Sequence, residues 1–178
     1  EVIQYTRKLY LEDIQKNKPL FFIIQSPNSK NYFDFRYSKL IKAIDDTEES
    51  IISNETSIVV YKEYTPVLFT TQVFTVDFNN PIIVPNSSNN NKLSVYSSPF
   101  MYNGDTVYIG NDLNSKLVVY KDVNGSRSVV VSDAGTIDYD RGIIRVAVIQ
   151  FESYDPEGDG IEFFMIPRNL DVLTSTNN

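Results

Sequence analysis

An α+β fold, with a small strand-helix-strand unit over residues 1–64 followed by a mainly antiparallel, β-sandwich-like region over residues 65–178, is what this sequence predicts. Three observations carry that. Only one stretch, Arg36 to Ile52, sustains apolar residues at the three-and-four spacing of a helical face. After Pro66 there is no further helical period, only short β-branched and aromatic runs separated by turn residues. Within that region Gly135-Thr136-Ile137-Asp138-Tyr139-Asp140-Arg141-Gly142-Ile143-Ile144-Arg145-Val146 reads as a β-hairpin. Its tip offers an Asp for the turn and a Gly able to take positive φ.

In chain order, Glu1 to Lys18 mixes apolar and charged residues at a spacing that suits a helical turn and an edge strand equally. Leu20–Gln25 is aromatic and β-branched, lies between Pro19 and Pro27, and reads as a buried strand. Pro27 to Asn31 is loop by composition. Asp34 is placed to cap the helix, whose inner face holds Tyr37, Leu40, Ile41, Ile44, Ile51 and Ile52. Its outer face is charged, Lys42 and Asp46 are spaced for an i,i+4 pair, and Asn54 is a plausible stop. Ser57–Tyr64 alternates as a strand. A right-handed crossover would set it parallel to Leu20–Gln25, with the helix on one face; an antiparallel arrangement with extra N-terminal strands also satisfies the pattern.

Beyond Pro66 the expected strands are Val67–Phe69, Gln72–Phe78, Pro81–Val84, Leu93–Tyr96, Thr106–Ile109, Leu117–Lys121, Ser128–Val131, Thr136–Tyr139, Ile143–Gln150 and Ile161–Ile166. Asn124-Gly125 suits a two-residue hairpin turn. The residues after Leu173 read as a frayed tail.

Composition removes most chemistry. With no Cys and no His, the chain lacks thiolate and imidazole zinc ligands, Cys and His nucleophile-base pairs, and disulfides. No enzyme and no cofactor is expected. A net charge of -7 with scattered cations argues against a phosphate backbone as partner. No apolar run approaches the ~20 residues of a membrane span, and no charged-then-apolar leader precedes the first elements, so neither insertion nor export is expected. A start at Glu1 fits a portion of a longer polypeptide. The richness in Asn, Tyr, Ile and Lys reads as the bias of an AT-rich genome.

Two kinds of group could carry a site. Asp155-Pro156-Glu157-Gly158-Asp159-Gly160 begins like a calcium loop, but Ile166 stands at the twelfth position, where a bidentate Glu is needed, so a plain turn is expected. Tyr32, Phe33, Phe35 and Tyr37, and later Phe100, Met101 and Tyr102, are aromatic groups beside polar loops, where core packing competes with an exposed protein-binding or sugar-stacking surface. Tyr32, Phe33 and Phe35, in the loop before the helix, are the candidate interface residues.

The helix Tyr37 to Ile51, the strand after it, the Val76-Asp77-Phe78-Asn79-Asn80-Pro81 step, the Gly135-Thr136-Ile137-Asp138-Tyr139 hairpin with Gly142 and Ile144, and the closing Ile166-Pro167-Arg168-Asn169-Leu170-Asp171-Val172-Leu173 occur in that order. This succession resembles the C-terminal part of the baseplate wedge ring protein of contractile-tailed bacteriophages. The resemblance implies a non-enzymatic virion part, assembled in the host cytoplasm. It would pair with copies of itself, as a homo-dimer within a larger ring, and with other baseplate wedge proteins around the tail hub. It supplies no catalytic residues. The competing expectation is a glycan-binding β-sandwich module on a virion surface or tail protein, using aromatic side chains and Asn-rich loops.

From the missing His and Cys and the incomplete acidic loop, a chelator is expected to leave the thermal melting curve unchanged. A rise of several degrees on adding calcium would instead assign residues 155–160 as a metal site.

Overall fold

A computed structural model describes residues 21–24, 34–35, 37–46, 57–85, 93–155, 158–169 and 172–173. Its elements in chain order are β1 (Phe21–Ile24), β2 (Asp34–Phe35), α1 (Tyr37–Asp45), β3 (Ser57–Tyr64), β4 (Thr71–Asp77), β5 (Val95–Ser97), β6 (Phe100–Tyr102) and β7 (Asp105–Asn111). There follow β8 (Lys116–Val123), β9 (Ser126–Asp138), β10 (Ile143–Gln150), β11 (Ser153–Tyr154), β12 (Ile161–Met165) and β13 (Val172–Leu173). Among the described residues the protein is mostly antiparallel β-sheet with very little helix.

One sheet runs β1-β3-β12-β5-β7-β8-β9-β10-β4, with β6 pairing β7 and β11, and β2 and β13 forming a separate pair. It is a single curling sheet that nearly closes into a barrel, rather than the two facing layers of a sandwich. β1 and β3 are parallel, Phe21 opposite Ser57, the first of the two arrangements that the sequence pattern allows. On its other side β3 pairs antiparallel with β12, so the spans 1–64 and 65–178 contribute strands to the same sheet.

Several elements depart from the sequence expectation. The helix is α1, Tyr37–Asp45, shorter than Arg36 to Ile52. Its last bond runs from Asp46 N–H to Lys42 O, and residues 47–56, with the Asn54 stop, lie outside the described residues. Asp34, expected at the helix cap, has an extended backbone in β2 that pairs with Leu173. Residues 67–69 form a turn instead of a strand, and Pro81–Val84 reduces to one bridge between Ile82 and Pro167. The expected strands Ser128–Val131 and Thr136–Tyr139 are one strand of 13 residues, β9. The expectations for residues 1–18 and for the tail after Leu173 fall outside the described residues.

The core follows from period-two alternation. β12 buries Ile161, Phe163 and Met165, and β10 buries Ile144, Val146 and Ile149. With Phe100, Phe151, Ile82, Ile109 and Leu117 they form one apolar cluster, each side chain contributing about 1.5–3 kcal/mol by leaving water. Asn111 is buried, and its Oδ1 accepts hydrogen bonds from Ser94 N–H (2.8 Å) and Val95 N–H (2.9 Å). Ser97 Oγ likewise accepts from Ile109 N–H at 2.9 Å. Side chains thus satisfy backbone groups where β5 and β6 break their pairing along β7.

The turns obey local chemistry. Asn124 and Gly125, at φ 55° and 77°, join β8 to β9, the signature of a type I′ hairpin. The β9–β10 tip holds Gly142 at φ 71°; its N–H reaches Asp138 O at 2.9 Å, and a Cβ there would run into Asn80 O.

Among the described residues no backbone ladder joins β4, at one edge of the sheet, to β3, the neighbour of the other edge strand β1. Side chains span the gap. Tyr64 stacks on Phe74 with ring centroids 3.7 Å apart, and Tyr64 OH donates to Gln72 Oε1 at 2.8 Å. Burial there lowers the pKa of Lys62, and the Asp77 charge partly offsets it. Tyr64→Ala is expected to cost about 2–3 kcal/mol in urea unfolding. A loss under about 0.5 kcal/mol would mean that the seam does not hold the sheet closed.

Candidate interaction surface

Tyr32 and Phe33 lie outside the described residues. Phe35 is placed by its backbone in β2, opposite Val172. Phe100, from the second aromatic cluster, is buried in the core, while Met101 and Tyr102 are half-buried beside it.

The hairpin that dominates the sequence lines a shallow hollow of about 210 Å³ with Thr136, Ile137, Asp138, Arg141, Ile143 and Arg145. Its carboxylate serves the turn, since Asp138 Oδ1 accepts the Arg141 N–H at 3.0 Å. The acidic loop is tied back to β3's end, where Thr65 Oγ1 donates to Asp159 O at 3.0 Å. Burial first, then Glu63 and Asp155, raise the Glu162 carboxyl above its ordinary range. No group of three or more Asp and Glu residues that could hold a metal ion occurs among the described residues. No helix there is long and apolar enough to cross a membrane.

The most exposed apolar group is one that sequence pattern assigned to a strand. Val67, Leu68 and Phe69 form the turn entering β4, with Phe69 69% exposed. On the outer face nearby, Val73 is 69% and Val148 73% exposed. The β4–β10 register slips between Val146 and Ile149, which sets Val148 beside Val73 on that face.

This turn is braced. The Gln72 amide accepts from Val67 N–H at 3.1 Å and donates to Val67 O at 2.7 Å and to Thr70 O at 3.2 Å. Phe69 N–H donates to Phe151 O at 2.7 Å. Phe69 itself sits at φ 58°, a left-handed conformation costly for a bulky side chain. Bracing plus strain holds a large ring out in water, where burial alone would never put it. The signal available in sequence was Gln72 two residues past Thr70, too weak to outweigh three consecutive apolar residues.

A row of rings crosses the sheet's outer, convex face. Phe164 lies 5.8 Å from Tyr61 and 4.9 Å from Tyr96, and Tyr108 stacks on Tyr120 at 5.5 Å. Arg127 covers Tyr120 at 4.2 Å. Phe164 and Tyr96, and Tyr108 and Tyr120, thus stack on one another, and a guanidinium lies over Tyr120.

No protein-family model, characterised protein or solved structure matches this chain.

Tyr139, at the hairpin, has a buried hydroxyl without a hydrogen-bond partner. Burial, then Asp112, push it up to about 12, whereas an unfolded tyrosine ionises near 10. Between those values the unfolded chain gives up a proton that the folded chain keeps, so stability falls as pH rises from about 10 to about 12. Tyr139→Phe is expected to raise stability by about 1 kcal/mol at pH 7 and to make that alkaline slope shallower. Lower stability at pH 7 would show that the hydroxyl has a partner.

Proposed function

We propose that this chain is a structural, non-enzymatic component of a contractile phage tail baseplate, joining wedges into a ring around the hub through protein contacts with copies of itself and with neighbouring wedge proteins. It belongs in the virion and is assembled in the host cytoplasm. Its strand-helix-strand beginning and β-rich remainder make an α+β module of that wedge ring protein. The observation that carries this reading is the braced apolar turn: Val67 and Phe69 stand strongly exposed, Leu68 less so, and Val73 of β4 and Val148 of β10 are exposed as well. Contiguous exposed apolar side chains of this size mark a contact surface, and a strained ring held outward is preorganised to enter a partner's pocket. The order of sequence segments names the setting, and the absence of His and Cys agrees with a part that does no chemistry.

Cross-linking of intact tail particles followed by peptide mapping tests the role. Cross-links from residues 65–75 to another baseplate chain are expected. Truncation of the central anchor, Phe69→Ala, is expected to cost about 2 kcal/mol of association, or roughly 30-fold in Kd, with little change in melting temperature because the ring is already in water. If the chain is absent from tail particles, or binds a glycan across Tyr96 and Phe164 instead, the proposal fails.

A further inference from the structure

β8 pairs with β9 from Ser126 to Thr136, but β10 pairs with it only from Gly135 to Asp138. Among the described residues, nothing pairs with the second edge of β9 over 126–134. Such an edge presents a row of unused N–H and C=O groups, which proteins usually protect with Lys, Pro or a covering element. Here the stretch between Ser128 and Ser132 is Val129-Val130-Val131. The β8–β9 register slips between Leu117 and Val119, at residues 132–134, and again by one between Val119 and Tyr120, leaving Val130 without an opposite number. This bulge turns both Val129 (53% exposed) and Val130 (40% exposed) toward solvent.

The sequence of that edge is self-complementary. Arg127-Ser128-Val129-Val130-Val131-Ser132-Asp133 reads alike from either end, except that the charge changes sign. Antiparallel pairing with a second copy about Val130 sets Val129 against the other copy's Val131, Ser128 against its Ser132, and Arg127 against its Asp133. Valine pairs across an antiparallel ladder are favourable. Arg127 is held in its own copy by Tyr120 and Asn111 O, and Asp133 by Lys116, so their opposite charges favour this register without a new ion pair, whereas a parallel in-register pairing would put Arg127 against Arg127. The valines supply the β-branched surface that such pairing favours.

We infer that β9 is a dimerisation edge: two copies pair antiparallel about a two-fold axis at Val130 and form one continuous sheet. This rests on the assembly role above and gives that role a second contact surface, at a different strand from the Phe69 turn. The bulges of the two copies meet at the axis, and the ladder forms on either side of it. A strand pair of this length is small beside a standard interface of about 1,600 Å², so a weak dimer is expected in isolation, strengthened when neighbouring contacts hold the copies together.

The chain has no cysteine, so engineered thiols report the register directly. Val130→Cys is expected to form a disulfide-linked dimer on mild oxidation, because antiparallel partners lie about 5 Å apart at Cα. Ser128→Cys alone should not, since it would face its own copy across about 13 Å; mixed with Ser132→Cys it should cross-link. Val130→Lys, at a solvent-exposed position that tolerates it, puts two like charges on the axis and is expected to raise the dimer Kd at least about tenfold by sedimentation equilibrium. A chain that stays monomeric up to the highest soluble concentration overturns the proposal, as does cross-linking by Ser128→Cys alone but not by Val130→Cys. Self-association unchanged by Val130→Lys also overturns the edge pairing while leaving the assembly role standing. Absence of the chain from tail particles removes that role whatever the cross-links show.

Discussion

The enclosure of the core depends on a contact that no backbone hydrogen bond supports. The sheet runs from β1 and β3 around to β4, and its edge strand β4 meets β3 through the Tyr64–Phe74 stack and the Tyr64–Gln72 hydrogen bond. Phe74 in turn lies against Phe151 and Phe163, two of the largest fully buried side chains. Without that contact, the open side of the curl would expose the apolar face that every inward position of β10 and β12 supplies. Gln72 links this seam to the surface, since the same amide that receives the Tyr64 hydroxyl also braces the turn at 65–70.

The parts of the fold that depend on local chemistry were legible in the sequence. Alternation in Ile143–Gln150 and Ile161–Met165, the Asn124-Gly125 turn and the Gly142 tip all rest on side-chain period or on φ, which neighbouring residues set. What depends on distant partners was not. The pairing of β3 with β12, and the near closure of the curl, have no signature in either segment. β9 reads as two strands because its middle, 132–134, carries Ser, Asp and Ala, yet β8 holds it as one through a slipped register. Val67–Phe69 reads as a strand because three apolar residues are consecutive, while a side-chain amide five residues from Val67 decides otherwise. Of the residues that composition marked as an interface, Phe35 lies in β2, and its side chain and those of Tyr32 and Phe33 lie outside the described residues. The apolar residues that stand free, Phe69, Val73 and Val148, carried no aromatic clustering to single them out.

If the chain builds a ring, as proposed, it must bind on more than one side, because a single isologous contact ends at a dimer. The Phe69 turn lies at the start of β4, on one margin of the curled sheet, and the bare stretch of β9 precedes the segment that joins β10. On that proposal one surface acts as a protruding anchor, whose strength comes from filling a pocket; the other acts as a backbone edge, whose strength comes from register. They therefore respond to different substitutions: the first to side-chain volume, the second to charge and to the order of residues along the strand.

The wide separation of β3 and β12 along the chain bears on how the molecule reaches this state. Tyr64 and Ile161, opposite one another, are about a hundred residues apart, whereas β7, β8, β9 and β10 follow one another as a meander with short turns. Loop-closure entropy favours the meander as the first structure to organise, with β3, β12 and the seam added late. Until they dock, Phe163, Phe151 and Phe74 have no cover. A nascent chain of this kind is most exposed to misassociation in the interval between the meander and the closing strands, and residues that hasten docking protect yield without touching any contact surface.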